Sequence, residues 1–440
     1  MPPSSAAPNP SPVSTADALY RRIAWRIMPV MVCAYIVNYI DRVNVGFAKL
    51  QMLGDLKFSE TVYGVGAGIF FLGYFIFEVP SNLILHKVGA RVWICRVLVT
   101  WGIISGCTAL VRTPAEFYTM RLLLGIAEAG FFPGMILYLT YWFPSHRRAK
   151  MVAILMTGNP LAGIIGGPFS GAIMRFFSGT HGIAGWQWLF LLEAIPAVIL
   201  GIIVLFVFDD RVLDATWLTP EEKSSVAAEI DAEAAAKTHT TILSIFLSPR
   251  VWLMGSIYFG IEMGSYAIGF WLPTIIRETG VKDPFQIGLR TIVPYSLALV
   301  FMILTGRHAD QTRERRWHLV VPCIIAAIGF VLCTLGAGTQ GAGSPLLAAI
   351  GMNLAVVGVV TSVPTFWALP TSFLGGAAAA AGIALVNCTG NLGGFFSPLI
   401  IGALKTHTGT LNSGLILVAA CMLASATLIL TLVPAKLVNR

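Results

Sequence analysis

The chain has 440 residues, of which 56% are hydrophobic and 11% are charged, and its mean hydropathy is +0.78. A soluble domain carries about 25% charged residues, so this composition excludes an ordinary water-soluble globular protein and indicates a chain solvated by a lipid bilayer. The net charge of +8 does not indicate nucleic-acid binding, because basic residues gather in the cytoplasmic loops of membrane proteins.

Apolar runs of roughly the 20 residues needed to cross a bilayer predict an all-α integral membrane protein with twelve spanning helices. In chain order the predicted spans are 24–46, 60–84, 90–110, 115–141, 149–176, 186–208, 251–276, 285–306, 317–336, 344–368, 376–403 and 411–434. Residues 1–20 are rich in Pro, Ser and Ala and predict a disordered cytoplasmic tail. The polar stretch 209–250 predicts a cytoplasmic linker, with a surface helix that begins near Thr219 and Pro220.

The linker divides the chain into an N-terminal six-helix bundle at 21–208 and a C-terminal six-helix bundle at 251–440. The predicted topology places 19 of the 29 basic residues in loops on one side and 8, including Lys49, in loops on the other. This imbalance predicts that both termini are cytoplasmic.

Glycine patterns repeat at equivalent positions of the two halves and predict pseudo-symmetry between the bundles. The first set is Gly163, Gly167, Pro168 and Gly171, and the second is Gly390, Gly393, Gly394, Pro398 and Gly402. Such glycines let helices approach closely, and duplicated halves are typical of alternating-access transporters.

Ionisable residues at membrane depth are costly and indicate function. Asp41 and Arg42 are adjacent, but neighbouring residues point about 100° apart on a helix and need not pair. The Arg42 guanidinium suits a carboxylate ligand, and the Asp41 carboxyl suits proton binding. Alternatively, Asp41 and Arg42 anchor the outer end of the first span at the membrane interface. Glu128 is predicted to bind and release protons, or alternatively to make a structural hydrogen bond. We expect Arg121 to organise the cytoplasmic half of its helix.

Further polar residues leave their roles open. Glu78 lies four residues after Tyr74, on the same helix face. It is interpreted either as part of a gate, paired with a basic residue, or as a residue with a structural role. Glu262 shares a helix face with Tyr258 and Tyr266 and is a candidate for lining a cavity. Glu193 is interpreted as structural. Polar residues that either contact a substrate or bond across helices are Asn159, Asn353, Thr365, Trp367, Asn387 and Asn391.

No motif for a catalytic set, a nucleotide site or a metal site appears in the sequence, so neither an enzyme nor a cofactor is expected. The seven cysteines lie in apolar stretches without a CxxC pair. Besides a transporter, a channel or a membrane sensor that binds ligand without moving it fits the composition.

Two sequence motifs of the chain resemble those of the major facilitator superfamily. RLLLGIAEAGFFPGMILYLTYW at 121–142 is similar to its fourth-helix signature, and GRHAD at 306–310 followed by Arg313 is similar to its basic loop motif. In the matching loop of the first half, Asn82 and His86 depart from that motif. The chain also resembles the anion:cation symporter family through NYIDRVNVGFA, GYFIFEVPSNLIL, GFWLPT, FWALPTSFLGGAAAAAGIALVN and GNLGGFFSP.

The resemblance implies a proton-coupled symporter that imports a small organic anion, such as a sugar acid, tartrate or phthalate, through a bacterial inner membrane. It assigns proton binding to Asp41 and Glu128 and substrate-carboxylate binding to Arg42 and Tyr74. It places Tyr39, Asn159, Trp367 and Asn387 in the cavity lining. The expected partners are a carboxylate substrate, protons and lipid, with the monomer as the functional unit. A glycine-proline pattern near Pro168 leaves an antiporter or exporter as the alternative.

Overall fold

The computed structural model describes residues 12–235, 247–337, 343–373 and 378–439, and the regular structure within these ranges is helical. The first half contains nine α-helices: α1 (Pro12–Val43), α2 (Val45–Leu56), α3 (Glu60–Val88), α4 (Ala90–Cys107), α5 (Pro114–Glu128), α6 (Phe131–Trp142), α7 (Ser145–Met156), α8 (Gly158–Phe176) and α9 (Gly185–Val207). After them come α10 (Pro220–Ala235), α11 (Pro249–Glu278), α12 (Pro284–Thr312), α13 (Arg316–Ala337), α14 (Pro345–Phe373), α15 (Ala378–Thr408), α16 (Asn412–Leu432) and α17 (Ala435–Val438).

Ten segments of the described chain are long and apolar enough to cross a membrane. Three of them join two consecutive helices: α1 with α2, α5 with α6, and α7 with α8. The other two predicted spans form α11 and α15, which have 30 and 31 residues and are also long enough to cross. Almost all of α11 from Met254 to Ile276 is buried, so its polar side chains contact protein rather than lipid. The predicted all-α membrane fold is confirmed.

Two predicted boundaries at the start of the chain are wrong. Helix α1 begins at Pro12, so the predicted disordered tail is incorrect for residues 12–20, while residues 1–11 lie outside the described ranges. Asp17 forms an ion pair with Arg147 at 2.7 Å, and the Tyr20 hydroxyl donates to Glu229 at 2.6 Å. These contacts hold the first turns against the bundle. The first crossing also continues beyond the predicted end at 46, because α2 extends it to Leu56.

The predicted linker helix forms as α10, with its first turn capped by Thr219. The Thr219 hydroxyl accepts from the Glu222 backbone N–H at 3.3 Å, and the Glu222 carboxylate accepts from the Thr219 N–H at 2.9 Å. The helix packs on the N-terminal bundle, where Glu233 accepts hydrogen bonds from the Ser145 N–H at 2.7 Å and from Arg148 at 3.3 Å. Residues 236–246 of the predicted linker lie outside the described ranges. We call the side of the molecule that carries α10 the terminal face, and the other side the opposite face.

Each half packs as a bundle, and the bundles meet chiefly through two helix pairs, α3 with α15 and α8 with α12, and to a smaller extent through α2 with α11. In the first pair, a Cβ on Gly64 would lie 2.4 Å from the Pro398 carbonyl oxygen. In the second, a Cβ on Gly288 would lie 2.2 Å from the Gly167 carbonyl oxygen. Of the glycines in the predicted repeat, Gly167, Gly171 and Gly402 lie where helix backbones touch across the interface, whereas Gly390 and Gly393 pack on α11 of their own bundle. Close backbone approach of this kind requires residues without a side chain.

A methyl group at Gly288 tests this close approach. We expect Gly288→Ala to lower the free energy of unfolding by ~1–3 kcal/mol, because the added carbon meets backbone that cannot move aside cheaply. The measurement is thermal unfolding in detergent. Gly306→Ala in the same helix is the control, because a Cβ there has nothing within 4 Å. Equal melting temperatures for the two variants would contradict the described packing.

Candidate functional site

The site lies where one membrane crossing is interrupted beside another. The first crossing runs through α1 and α2, with Asn44 between them in a helical conformation (φ −56°, ψ −30°), and the fourth crossing breaks between α5 and α6. Gly130 makes this break with φ of 81°, a left-handed conformation that favours glycine. Helix α5 thus ends at Glu128, in the middle of its crossing. The unpaired carbonyl groups at a helix C-terminus favour a nearby cation, so this break suits an arginine partner.

Arg42 is that partner. Its Nε donates to Glu128 Oε1 at 2.9 Å, and its Nη2 forms an ion pair with the same oxygen. Its Nη1 donates to the Tyr266 hydroxyl of α11 at 3.3 Å, so the guanidinium touches both bundles. The Glu128 side chain is fully buried, whereas that of Arg42 remains 12% exposed. Of the two residues, only the arginine therefore retains contact with solvent-accessible space.

Aromatic rings surround the guanidinium. Its Cζ lies 5.2 Å from the ring centres of Phe70 and Tyr74 and 6.0 Å from that of Phe71. The Phe71 ring in turn packs on Tyr266 at 4.3 Å. Faces of aromatic rings attract cations and exclude water, which strengthens charge interactions at this position.

Asp41 does not pair with Arg42, as expected from the helical spacing. It accepts a short hydrogen bond from the Ser105 hydroxyl and another from Asn44 Nδ2 at 3.1 Å. The interpretation of this pair as an anchor at the outer end of the span is wrong. Asp41 is buried, and helical chain continues beyond it through α2.

The position expected for Arg121 is also wrong. Helix α5 begins at Pro114 on the opposite face, so Arg121 lies in the half of the crossing away from the terminal face. Its side chain is buried, and Nε donates to the Gly66 carbonyl at 3.3 Å. Its Cζ lies 5.1 Å from the Phe70 ring, which therefore contacts both arginines.

A second polar group lies between the bundles. The Tyr39 hydroxyl contacts Asn159 and, across the interface, Ser265. A cavity of about 30 Å³ is lined by Asn159 and Ser265 together with Pro364 of α14. The Trp367 ring packs on Tyr258 with centroids 5.0 Å apart, and Tyr258 contacts the buried Glu262 carboxyl.

Asn387 lies in a different contact, because its Nδ2 donates to Glu78 Oε1 at 2.8 Å. The Cys388 thiol donates to the other oxygen of Glu78 at 3.7 Å, and Asn391 also contacts this carboxyl, so amide and thiol groups bind Glu78 where a basic residue was expected. Asn353 and Thr365 bond to carbonyls of their own helix. The larger cavity of about 310 Å³, lined by Thr305, Trp317 and other residues of α12–α14, contains none of the predicted site residues.

An ion-pair network on the opposite face was missed by the sequence analysis. Lys49 binds Glu60 at 2.7 Å, and Lys405 joins Glu60 at 3.2 Å and Glu278 at 2.9 Å. The network links α2 and α3 to α11 and α15, and so joins the bundles. The assignment of Lys49 to a loop is wrong, because its side chain is fully buried with Nζ 3.5 Å from the Trp271 ring centre. Its spacing of seven residues from Arg42, on one helix face, was the available signal.

Further hydrogen bonds reinforce the closure on this face. The Tyr63 hydroxyl donates to the Phe270 carbonyl at 2.8 Å, and the hydroxyls of Thr61 and Thr406 are 2.8 Å apart. Arg277 of α11 donates to the Leu50 carbonyl at 3.2 Å. The two bundles are therefore joined on the opposite face by ionic, polar and aromatic contacts.

The Major Facilitator Superfamily model matches residues 31–398. The chain belongs to this superfamily. It is 46% identical to the putative metabolite transport protein NicT of Pseudomonas putida, over 96% of each chain. It is 49% identical to a putative tartrate transporter of Agrobacterium vitis, over 94% of each chain, and 39% identical to a quinolone resistance transporter of Acinetobacter baumannii, over 92% of each.

Among solved structures, the partially occluded inward-open xylose transporter XylE from E. coli is similar in fold. The TM-score is 0.72 at 15% sequence identity, covering 93% of this chain and 99% of that one. The superfamily predicted from the sequence motifs is thereby confirmed, and the protein is a multi-pass membrane transporter. The individual roles predicted for the site residues remain proposals.

Cysteine cross-linking tests the closure of the opposite face. We expect Thr61→Cys and Thr406→Cys together to form a disulfide on mild oxidation, because the native hydroxyls touch. Transport is expected to stop on oxidation and return on reduction. Each single cysteine variant is the control. A double variant that cross-links yet transports at the rate of the reduced protein would show that the bundles do not separate here.

Proposed function

We propose that the protein is a proton-coupled symporter that imports a small organic anion by alternating access. The observation that carries the proposal is the contact between Arg42 and Glu128 within a ring of aromatic side chains. A transporter for carboxylates needs a permanent cation, a way of occupying that cation when substrate is absent, and a way of releasing it.

Arg42 is the proposed binding group for the substrate carboxylate. Its guanidinium has a planar set of donors that matches a carboxylate, and it cannot lose its charge. In the described conformation the Glu128 carboxylate occupies this donor set. A substrate carboxylate thus competes with Glu128 for the same donors, and Tyr74 and Tyr266 flank the position where the substrate would bind.

Protonation of Glu128 is the proposed release step. A neutral Glu128 carboxyl loses most of its attraction for the Arg42 guanidinium. Protonation of Glu128 therefore frees Arg42 to bind the substrate carboxylate in its place. Asp41 is the second proposed proton-binding carboxyl, held by Ser105 and Asn44 instead of a cation. Coupling follows because substrate binds well only when the proton is bound.

The remaining predicted residues divide between substrate contact and bundle contact. Tyr39 and Asn159 lie between the bundles, where hydroxyl and amide groups suit the hydroxyls of a small polar acid. Trp367 packs on Tyr258 within the C-terminal bundle, and we propose that its indole N–H adds a donor for the substrate. Asn387 bonds to Glu78 of the other bundle, and we assign this pair to the changing bundle interface. With the predicted cytoplasmic termini, the contacts on the opposite face close the site towards the periplasm.

Relatives support the chemical class of the substrate. The proteins named as tartrate transporters are 48–49% identical to this chain, and tartrate is a small hydroxylated dicarboxylate. We propose a sugar acid, tartrate or a similar carboxylate as substrate, a bacterial inner membrane as location and a monomer as the functional unit. The second candidate is an exporter or antiporter. It is favoured by the 39% identity to a quinolone resistance transporter and by the Gly167-Pro168 sequence in α8.

Uptake of a panel of organic acids into proteoliposomes, with and without an inward proton gradient, separates these candidates. The symporter requires uptake of at least one acid that increases when the outside is acidic. Uptake that increases when the inside is acidic would favour antiport. Lack of stimulated uptake for every acid in the panel, in vesicles that hold folded protein, would reject the proposal.

The coupling step is tested by Glu128→Gln. We expect this variant to lose concentrative uptake but to keep exchange of substrate across the membrane, because a neutral side chain leaves Arg42 available without a proton. The assays are gradient-driven uptake and counterflow in the same vesicles. Glu221→Gln, an exposed acid on α10, is the matched control and should leave both activities unchanged. Normal concentrative uptake by Glu128→Gln would contradict the coupling scheme.

A further inference from the structure

A groove on the C-terminal bundle lies apart from the proposed transport site. Helices α12 and α13 make few contacts with each other while both pack on α14, so a space remains between them with α14 as its floor. The cavity of about 310 Å³ occupies this space. At the floor, a Cβ on Gly358 would lie 2.4 Å from the Pro322 carbonyl oxygen of α13. Gly358 therefore keeps side-chain bulk out of the floor.

The groove opens sideways toward the bilayer. Its walls include Phe301 of α12 and Trp317 and Val321 of α13, and each of these large apolar side chains is about half exposed. All three belong to membrane crossings, where an exposed apolar side chain is covered by lipid or by another apolar surface. The occupant of the groove is therefore expected to come from the membrane rather than from water.

The lining of the groove changes from apolar to polar toward the terminal face. Helices α12 and α14 run toward that face and α13 runs away from it, and each contributes a deep apolar residue and a polar residue nearer the face. The apolar residues are Phe301, Ile325 and Val357, and the polar residues are Thr305, His318 and Thr361. Because all three helices show the same gradient, the lining suits a molecule with an apolar chain and a polar end.

Thr361 indicates a polar contact inside the groove. It is 2% exposed, and its hydroxyl has no hydrogen-bond partner among the described residues. Thr365, one turn later in the same helix, instead donates to the Thr361 carbonyl at 2.7 Å. A buried hydroxyl without a partner is costly, and an ester oxygen of a lipid is an acceptor that would satisfy it.

The mouth of the groove at the terminal face is basic. In the stretch 306–316, which joins α12 to α13, four arginines outnumber two acids, and Glu314 is already bound by His318 at 2.8 Å. Arg307 and Arg313 are exposed there. Basic groups beside membrane helices attract anionic headgroups, and an exposed tryptophan such as Trp317 is typical of the membrane–water interface.

We propose that this groove binds one anionic phospholipid from the leaflet at the terminal face. The acyl chain lies along the deep apolar lining, an ester oxygen accepts from Thr361, and the phosphate contacts Arg307 and Arg313. The site lies outside the proposed substrate pathway. It supports the outer side of α12, whose inner side meets α8 where the two bundles touch.

Native mass spectrometry of the whole protein tests this site without any transported substrate. Delipidated protein in detergent is titrated with phosphatidylglycerol, and the Kd of the first bound lipid is read from the peak intensities. Val357→Phe fills the groove, so we expect this Kd to rise by about tenfold. Val331→Phe adds the same bulk to an exposed residue of α13 that does not line the groove, and it is the control.

Thr361→Val separates lipid binding from folding. The substitution keeps the shape of the side chain and removes the unpartnered hydroxyl, so the melting temperature of the delipidated protein should stay the same or rise. Phosphatidylglycerol should nevertheless bind severalfold more weakly, because the ester oxygen loses its donor. If Val357→Phe does not fold, this variant decides the test, and unchanged affinity in Thr361→Val then overturns the proposal.

Three further results would contradict the lipid site. Equal affinity of wild type and folded Val357→Phe for phosphatidylglycerol would overturn it. Equal affinity of wild type for phosphatidylglycerol and phosphatidylcholine would also overturn it, because the groove would then not select an anion. A lipid-free dimer that is lost in Val357→Phe would assign the groove to a second copy of the chain. Failure of the uptake assays leaves all of these measurements unaffected.

Discussion

Arginine remains charged at any pH that a cell experiences, so burying an arginine inside a membrane is costly unless groups that stabilise its charge lie beside it. Arg42 meets this requirement through Glu128, and the contact depends on the interruption of the fourth crossing at Gly130. The aromatic side chains around Arg42 exclude water, so the attraction between Arg42 and Glu128 is only weakly screened. Other parts of the proposed cycle depend on this contact, since substrate and Glu128 compete for the same donors.

The opposite face has the complementary role of holding the bundles together while the site is closed on that side. Of the three ion pairs there, Lys405–Glu60 joins the two bundles, and it connects the Lys49–Glu60 pair of the first bundle to the Lys405–Glu278 pair of the second. Paired charges in a buried setting contribute little net stability, because desolvation offsets their attraction. A contact of this kind therefore breaks without a large change in free energy. The glycine-lined helix pairs α3–α15 and α8–α12 provide surfaces along which the bundles remain in contact.

The fold was predictable because membrane burial leaves a strong mark on sequence. Long apolar runs, the polar stretch after Phe208 and the Thr219 cap located the helices and the linker helix. Side-chain partners were less predictable. Asp41 and Arg42 were correctly separated by helical geometry, but the choice of Glu128 for Arg42 depends on how α1 packs against α5. Lys49 was assigned to a loop because the sequence does not show that the crossing continues through α2. Arg121 was placed in the wrong half because its helix begins at Pro114 and breaks after Glu128.

The central claim is that a substrate carboxylate displaces Glu128 from Arg42 and that Glu128 takes up a proton when this happens. Proton uptake on binding measures this exchange directly. Purified protein in weakly buffered detergent solution is mixed with an acid that the uptake panel identifies as substrate, and the pH change is recorded. The account predicts uptake of about one proton per bound anion by wild type and a clear reduction in Glu128→Gln. Binding of the same anion to wild type without any proton uptake would contradict it.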